Sequence, residues 1–382
     1  MRFVHVKLGN WRNFKNANID IDKRTFLVGP NASGKSNFLD VFRFLRDVAD
    51  PQGGFQRAVQ DQHRGGVSQI RSLYARQHSN VLIQVAVESA SGTRWQYHLE
   101  FNQDNQRRPI VRKEKVVKDG KEILVRPDET DQGDQNRLTQ THLEQVSANK
   151  EFRELAQFFA DVRYLHIVPQ LIREPERSVG KQRDPYGGDF LEQLARALQG
   201  NGRVFRSRIK KIEAALKVAV PKLKELRLER DVRGTPHLKG LYEHWRPNAG
   251  WQTEEQLSDG TLRLLGLLWS VLDGTSPLLL EEPELSLHAA VVRCIPQMLA
   301  RLIRKSGRQI IISTHSAEML SDEGISAKEV LLIRPSDDGS QVVVAATQME
   351  IQALLQGGLS IADAVIPQTA PENARQLTFF GD

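Results

Sequence analysis

Eight residues, Gly29-Pro30-Asn31-Ala32-Ser33-Gly34-Lys35-Ser36, constrain this chain more than anything else in it. They fit the spacing G-x-x-x-x-G-K-[ST] at every fixed position. They also lie between an apolar run, Thr25 to Val28, and a segment, Asn37 to Val48, that sets Phe38, Val41, Phe42 and Leu45 at helical spacing. A glycine loop leading from a strand into a helix turns its backbone N–H groups inward around phosphate oxygens, and the helix dipole adds to the attraction. Gly29, Asn31, Ala32, Ser33, Gly34 and Asn37 are therefore the expected cradle of a nucleotide. Lys35 is the cation that bridges the terminal phosphates and acts in catalysis, and Ser36 the hydroxyl that ligates Mg²⁺. ATP and Mg²⁺ are the implied cofactors. A chance glycine turn is the competing explanation, and the strand-loop-helix frame argues against it.

A second candidate site follows the apolar strand Pro277 to Leu280, which ends in Glu281-Glu282-Pro283-Glu284. Open α/β sheets place ligands at the carboxyl ends of their strands. Glu281 is expected to hold Mg²⁺ through water, and Glu282 to polarise the attacking water; without the phosphate loop a solvated acidic turn would explain the pattern as well. Upstream, Leu257-Ser258-Asp259-Gly260-Thr261 opens a helical segment running to Leu272. Ser258, Asp259 and Gly260 make a second anion-binding device, more than one ATP requires of one subunit, although a plain serine N-cap has the same sequence. Downstream, Ile310-Ile311-Ile312-Ser313-Thr314-His315-Ser316 sets His315 at a strand end, able to donate to a γ-phosphate or to serve structurally.

The order of these segments resembles that of ABC ATPases. LSDGT resembles the LSGGQ-type signature, and its Ser258 lies 24 residues before Glu282, which lies 33 before His315. The resemblance implies that Ser258 and Gly260 reach an ATP held by the opposite subunit, that Glu284 to His288 form the D-loop, and that His315 is the switch histidine. It also implies that Gln170, following an expected strand Val162 to Val168, is the Q-loop glutamine that reaches Mg²⁺; a surface glutamine fits equally. NWRNFKNANIDI followed by FLVGPNASGKSNFLDVFRFL resembles RecF-type N-termini. SDGTLRLLGLL, LEEPELSLH and STHS resemble stand-alone ATPases grouped with OLD nucleases. The resemblance is to the SMC, RecF and OLD-like branch; it covers both ends of the chain well and the stretch Asp50 to Gly250 in outline only. Glu281 departs from the aspartate usual in ABC proteins, which leaves the Mg²⁺ geometry open. OLD nucleases carry a Toprim domain after the ATPase, whereas the 67 residues after His315 hold no spaced acidic cluster for two metals.

The implied fold class is α/β, a P-loop NTPase of the ABC head type with an antiparallel β subdomain and an inserted helical subdomain. Alternating or apolar runs at Phe3 to Leu8, Ala17 to Ile21, Val81 to Val87, Trp95 to Phe101, Ile110 to Val117 and Glu122 to Val125 read as strands. Asp128 to Arg137 reads as a mobile loop and Arg177 to Gly188 as a polar linker. The expected organisation is an N-terminal ATPase lobe over 1–170, a basic helical insert over 171–250, a C-terminal ATPase lobe over 251–366 and a tail over 367–382. From Leu171 to Gly250 there are 18 Lys and Arg against 10 Asp and Glu, an excess larger than the chain's net +6. Helices from Arg203 to Arg233 thus offer a candidate DNA or RNA surface, or else a solvated charged face.

The single cysteine, Cys294, excludes disulfides within the chain and is expected to be a buried core thiol in a helix from Ala289 to Leu302. Without a signal-like N-terminus or about 18 uninterrupted apolar residues, the chain reads as a cytoplasmic protein with no membrane partner. The expected function is a dimeric, or higher oligomeric, ATP-hydrolysing switch that regulates a separately encoded effector in phage defence. The alternatives are a RecF/SMC-like DNA-binding ATPase of DNA repair and, less favoured, a transporter subunit. The tail at Leu377 to Phe380 either docks a partner or packs on its own domain.

Overall fold

Residues 1–75, 79–178, 184, 186–246, 250–370 and 378 are described by a computed structural model of the chain. The chain divides into two compact units, each assembled from separated segments: Met1–Arg163, Thr275–Leu279 and Ile303–Asp382 in the first, Tyr164–Gly274 and Leu280–Leu302 in the second. The main helices are α1 Lys35–Ala49, α2 Arg153–Ala160, α3 Phe190–Gly200, α4 Gly202–Ala219, α5 Asp259–Leu272, α6 Ile295–Ser306 and α7 Met349–Gln356.

In the first unit, alternation of apolar and polar side chains builds an antiparallel sheet from β1 (Arg2–Trp11), β2 (Phe14–Asp20), β4 (Val81–Glu88), β5 (Arg94–Gln103), β6 (Pro109–Lys118) and β7 (Lys121–Arg126), in the order β2-β1-β4-β5-β6-β7. A second sheet has the order β15-β14-β3-β13-β12-β8, with β3 (Arg24–Val28), β8 (Arg163–Leu165), β12 (Leu278–Glu281), β13 (Ile310–Thr314), β14 (Val330–Ser336) and β15 (Gly339–Val344). Its central strand β3 is buried at all five positions and runs parallel to β13 and β14, as continuous apolar runs do in parallel sheets. The two sheets are clasped by a buried glutamine: Gln309 accepts from the Phe3 N–H at 2.8 Å and donates to the carbonyls of Phe3 at 2.8 Å and Asp22 at 2.9 Å. Phe3 packs edge-on against Phe42 of α1, ring centroids 4.6 Å apart, and α1 packs against α2.

Two sequence expectations change here, at Asp128 to Arg137 and at Val162 to Val168. Asp128 to Arg137 is an ordered short helix, Glu129–Gly133, and a 3₁₀ turn, Gln135–Thr139. Asp128 caps the helix with a capping box, and Arg126 grips buried Asp131 through two 2.8 Å bonds while donating to buried Glu114 at 3.0 Å. Burial pushes the Asp131 carboxyl up, but the hydrogen bonds from Arg126 and the Asp128 N–H outweigh it and hold the carboxyl well below its ordinary range. The polar stretch after Pro51 forms a short helix, Phe55–Gln60, with Phe55, Ala58 and Val59 buried. The strand expected at Val162 to Val168 is only Arg163–Leu165.

The second unit holds α3, α4, α5 and an antiparallel sheet β11-β10-β9, with β9 Leu223–Arg230, β10 Pro236–Tyr242 and β11 Trp251–Thr253. Its core joins Phe205, Ile212 and Leu216 of α4 to Leu262, Leu265 and Trp269 of α5 and to Leu226 and Leu238 of the sheet. The expected basic helices from Arg203 to Arg233 are therefore one helix and a strand. The helix ends before Pro221, and the shift to a two-residue spacing at Leu226 and Leu228 makes the following segment β. The expected helix from Ala289 is also divided, into Ala289–Val292 and α6, because Pro296 lacks the N–H to continue the first turn and is tolerated only at the start of a new one. Cys294 lies at this break and is exposed, not buried, with its Sγ 3.4 Å from the Ala290 carbonyl. Of the expected linker and tail, 179–183, 185, 371–377 and 379–382 lie outside the described residues. Among the described residues, no helix is long and apolar enough to cross a membrane.

Two outcomes follow from the buried charges of the β subdomain. Replacing Arg126 with Met strands two buried carboxylates, and urea denaturation is expected to show a loss of about 3–5 kcal/mol. Burial pushes the half-buried Glu144 up to about 7 against the backbone N–H groups of Phe55 and Thr141, which pull it down. A carboxyl whose folded pKa is raised contributes stability that is present below its unfolded value, near 4.5, and is lost as pH rises through about 7. The melting temperature of the parent minus that of Glu144→Gln should therefore fall between pH 4.5 and pH 8, and a constant difference would contradict the assignment.

Candidate functional site: a phosphate loop and an acidic turn

The phosphate loop lies in the first unit between β3 and α1. Two of its residues take left-handed backbone, Ala32 at φ 61° and Gly34 at φ 106°, which directs successive N–H groups to one side of the loop. Gly29 is required by close approach: a Cβ there would overlap the Ile333 carbonyl and lie 2.7 Å from Ser33 Oγ. The buried Lys35 ammonium folds back on the loop, donating to the carbonyls of Gly29 at 2.9 Å and Pro30 at 3.0 Å. Asn31, Ala32 and Ser36 are exposed, while Ser33 Oγ is buried with no partner among the described residues. Such an orphaned hydroxyl inside a glycine-opened ring of donors suits a phosphate oxygen, so the residues present fit a triphosphate and its cation. His315 is exposed and follows Thr314, which pairs with Val28 in the parallel ladder, so the histidine stands at the same end of this sheet as Gly29.

One residue that the sequence did not single out organises the loop. Asn13, in the tight turn between β1 and β2, donates from Nδ2 to the Ser33 carbonyl and to Ser340 Oγ, both at 2.6 Å, and accepts from Asn37 Nδ2 at 2.8 Å. Ser340 Oγ also donates to the Ser33 carbonyl at 2.6 Å, and the Ser340 N–H to the Asn13 carbonyl at 2.7 Å. In the sequence Asn13 reads only as a turn former, since nothing local shows that β15 will arrive beside it.

The acidic turn lies in the second unit. Glu281 Oε2 accepts from the Tyr164 hydroxyl, and its carbonyl is 3.3 Å from His166 Nδ1. Glu282 has φ 43°, left-handed for a non-glycine residue and contrary to the extended backbone that a following proline favours. Strain of about 1–3 kcal/mol is held at this residue. Arg263 of α5 lines a small cavity of about 10 Å³ with Glu281, Glu282 and Pro283, at the size of one water molecule. Burial pulls the Arg263 guanidinium down from its ordinary range, while Asp259, Glu282 and Glu284 pull it back up. Arg263 and Tyr164 were not singled out in the sequence, because their partners lie on other elements.

Ser258 is exposed and is the N-cap of α5, its Oγ accepting from the Thr261 N–H at 3.2 Å. Asp259 pairs with Arg173 at 2.5 Å, and Arg173 also donates to the Leu257 carbonyl at 2.8 Å. Gly260 is held against the turn after the acidic strand, where a Cβ would come within 2.6 Å of the Ser286 carbonyl. Ser286 itself has φ 62°. The LSDGT turn and the turn Glu284 to His288 are thus packed on each other within this unit. Gln170 is exposed in a short helix, Pro169–Ile172, and no interaction distinguishes it.

Asn13→Ala removes the bond from Asn13 to the Ser33 carbonyl and those joining it to Ser340 and Asn37, without opening the core. Titration with a fluorescent ATP analogue is expected to show at least tenfold weaker binding, with the melting temperature changed by only a few degrees; unchanged affinity would remove Asn13 from the site.

Residues 24–321 match a family model described as "AAA domain, putative AbiEii toxin, Type IV TA system". Over 63 residues the chain is 36% identical to endonuclease GajA of Bacillus cereus (strain VD045), a match covering 16% of this chain and 11% of GajA, so the chain spans about a tenth of the curated relative. Among solved structures, the SMC head bound to the C-winged helix domain of ScpA is similar with a TM-score of 0.56 at 13% identity, covering 90% of this chain and 97% of that one. A Smc head domain with an extended coiled coil, bound to the C-terminal domain of ScpA derived from Pyrococcus furiosus, gives 0.51 at 12% identity, over 93% and 99%. At such identities the likeness is one of fold. With the family model matched over more than half of the chain, the chain belongs to this AAA-domain family, and its fold resembles that of SMC heads.

Proposed function

We propose that the protein binds and hydrolyses ATP with Mg²⁺ and works as a nucleotide-gated dimer. The observation that carries this reading is the phosphate loop: a buried lysine held by loop carbonyls, two left-handed residues and an orphaned serine hydroxyl in one turn. In this reading Lys35 would exchange its carbonyl partners for phosphate oxygens, and Ser36, Glu281 and Gln170 would be the residues that hold the cation. Glu282 orients a water and accepts its proton, and His315 donates to the terminal phosphate. Bound Mg²⁺ supplies charge neutralisation at the phosphates. That both acidic residues serve the same nucleotide as Lys35 is drawn from the motif order and the family. Ser258 and Gly260 would complete the site of a second copy, for which the exposed serine at the N-terminus of α5 gives support.

The biological setting we infer is phage defence, with the ATPase as sensor or regulator of a separately encoded effector such as a Toprim-type nuclease. The short match to an endonuclease supports it. The second reading, a DNA-binding ATPase of repair, draws on α4, which exposes Arg203, Arg206, Lys210, Lys211 and Lys217 with Glu213 as its single acid. DNA-stimulated turnover distinguishes it.

Lys35→Ala is expected to abolish ATP binding in equilibrium titration. Glu282→Gln should retain binding, lose at least 100-fold in turnover and accumulate an ATP-bound dimer in light scattering. Parent turnover per subunit should rise with protein concentration; turnover by a proven monomer, independent of concentration, would refute the shared site.

A further inference from the structure

The second unit contains a cavity of about 440 Å³ that the nucleotide chemistry does not use. Its floor is aliphatic: Ile212 of α4, Leu268, Val271 and Leu272 at the C-terminal end of α5, and Met298 and Leu302 of α6. Its rim is Lys211, Cys294, Gln297 and Arg301, all exposed. Cys294, Gln297, Met298 and Arg301 recur at spacings of three and four, so one face of the α6 segment forms a wall. The apolar surface continues along α4, where Ala214, Ala215 and Val218 follow Lys211 at three, four and seven residues and Val218 is 84% exposed. The charges that line the cavity are positive. No carboxylate lines it, Asp273 beside Leu272 is paired with Arg208 of α4 at 2.8 Å, residues 291–302 contain Arg293 and Arg301 and no acid, and the one acid of α4, Glu213, is engaged by the Leu226 N–H at 2.6 Å.

We infer that this groove is a docking site for an acidic amphipathic segment of a protein partner, with its apolar face on the aliphatic floor and its carboxylates against Lys211 and Arg301. A polyanion alone accounts for the cations but not for the floor. Nucleic-acid bases stack on aromatic rings, and none lines this groove. An apolar strip flanked by charges of one sign is instead the pattern that an amphipathic helix of opposite charge complements. The inference deepens the partner part of the reading above by giving the effector a surface. It does not depend on nucleotide turnover, so docking and ATP hydrolysis can fail separately.

The chain's only cysteine supplies the readout, because an occupant of the groove must cover Cys294. The probe is a 20-residue peptide with leucines at helical spacing and glutamates on both flanks, and the measurement is the rate of Cys294 alkylation by iodoacetamide in the full chain. Alkylation is expected to slow at least tenfold, saturably at micromolar peptide, and the effect should weaken between 0.05 and 0.5 M salt. A scrambled peptide of the same composition and a lysine-flanked version should give no protection. The double variant Lys211→Glu, Arg301→Glu should lose protection while melting at the parent temperature; if it does not fold, the single rim change Gln297→Glu should weaken protection severalfold. Equal protection by the scrambled peptide, protection by a 20-base-pair DNA duplex and not by the peptide, or no protection at all would overturn the proposal. ATPase turnover measured alongside reports on the nucleotide reading alone.

Discussion

The structure turns on the fixing of one loop whose own sequence cannot fix it. Gly29 and Gly34 give the phosphate loop freedom to bend its donors inward, and the same freedom would let it collapse. Its shape is set from outside, by Asn13 and Ser340, which both bond the Ser33 carbonyl, and by the Ile333 carbonyl, which excludes any side chain at position 29. Asn13 comes from the first hairpin and Ser340 from β15, so the loop is held by residues 327 positions apart that bond each other at 2.6 Å. The six-stranded sheet built around β3, and the Gln309 clasp that joins it to the antiparallel sheet, keep those contributors in register.

The second unit shows a similar economy. The glycine of the LSDGT turn lets α5 start directly against Ser286, and Arg263 one turn further on faces the carboxylates of Asp259, Glu282 and Glu284. A displacement of the acidic turn would therefore be felt at the N-terminus of α5, where Ser258 is exposed. The left-handed backbone at Glu282 and Ser286 marks this turn as a place where local preference has yielded to position. In the switch proposed above, such a connection would let a change at the carboxylates alter the surface offered to a second subunit.

Much of this was legible in advance, and for definite reasons. The motif from Gly29 to Ser36 dictates both chemistry and frame, and the apolar runs at β3, β12 and β13 are too short and too continuous to be anything but buried strands beside it. Spacing alone places the apolar-striped helix over Asn37 to Val48, which the structure extends by a residue or two at each end, and the serine N-cap offered as the competing reading of LSDGT is present at α5. The misses share a cause. The polar acids of Asp128 to Arg137 suggest a loop, yet Asp131 is buried by an arginine five residues earlier. The apolar neighbours of Cys294 suggest core, yet Pro296 breaks the helix and leaves the thiol at the break exposed. In the basic segment after Ala219, charge hides the two-residue alternation of Leu226 and Leu228 and suggests helix.

By itself, the sequence determined that this chain carries a phosphate loop in an α/β frame, with carboxylates after one strand and a histidine after another, because those signals depend only on neighbours along the chain. Which asparagine steadies the loop, which tyrosine holds Glu281 and which helices line an aliphatic groove were decided by tertiary structure. Those contacts join residues tens to hundreds of positions apart, and a hydrogen bond or a buried wall at that separation exists only once the sheets and helices have packed.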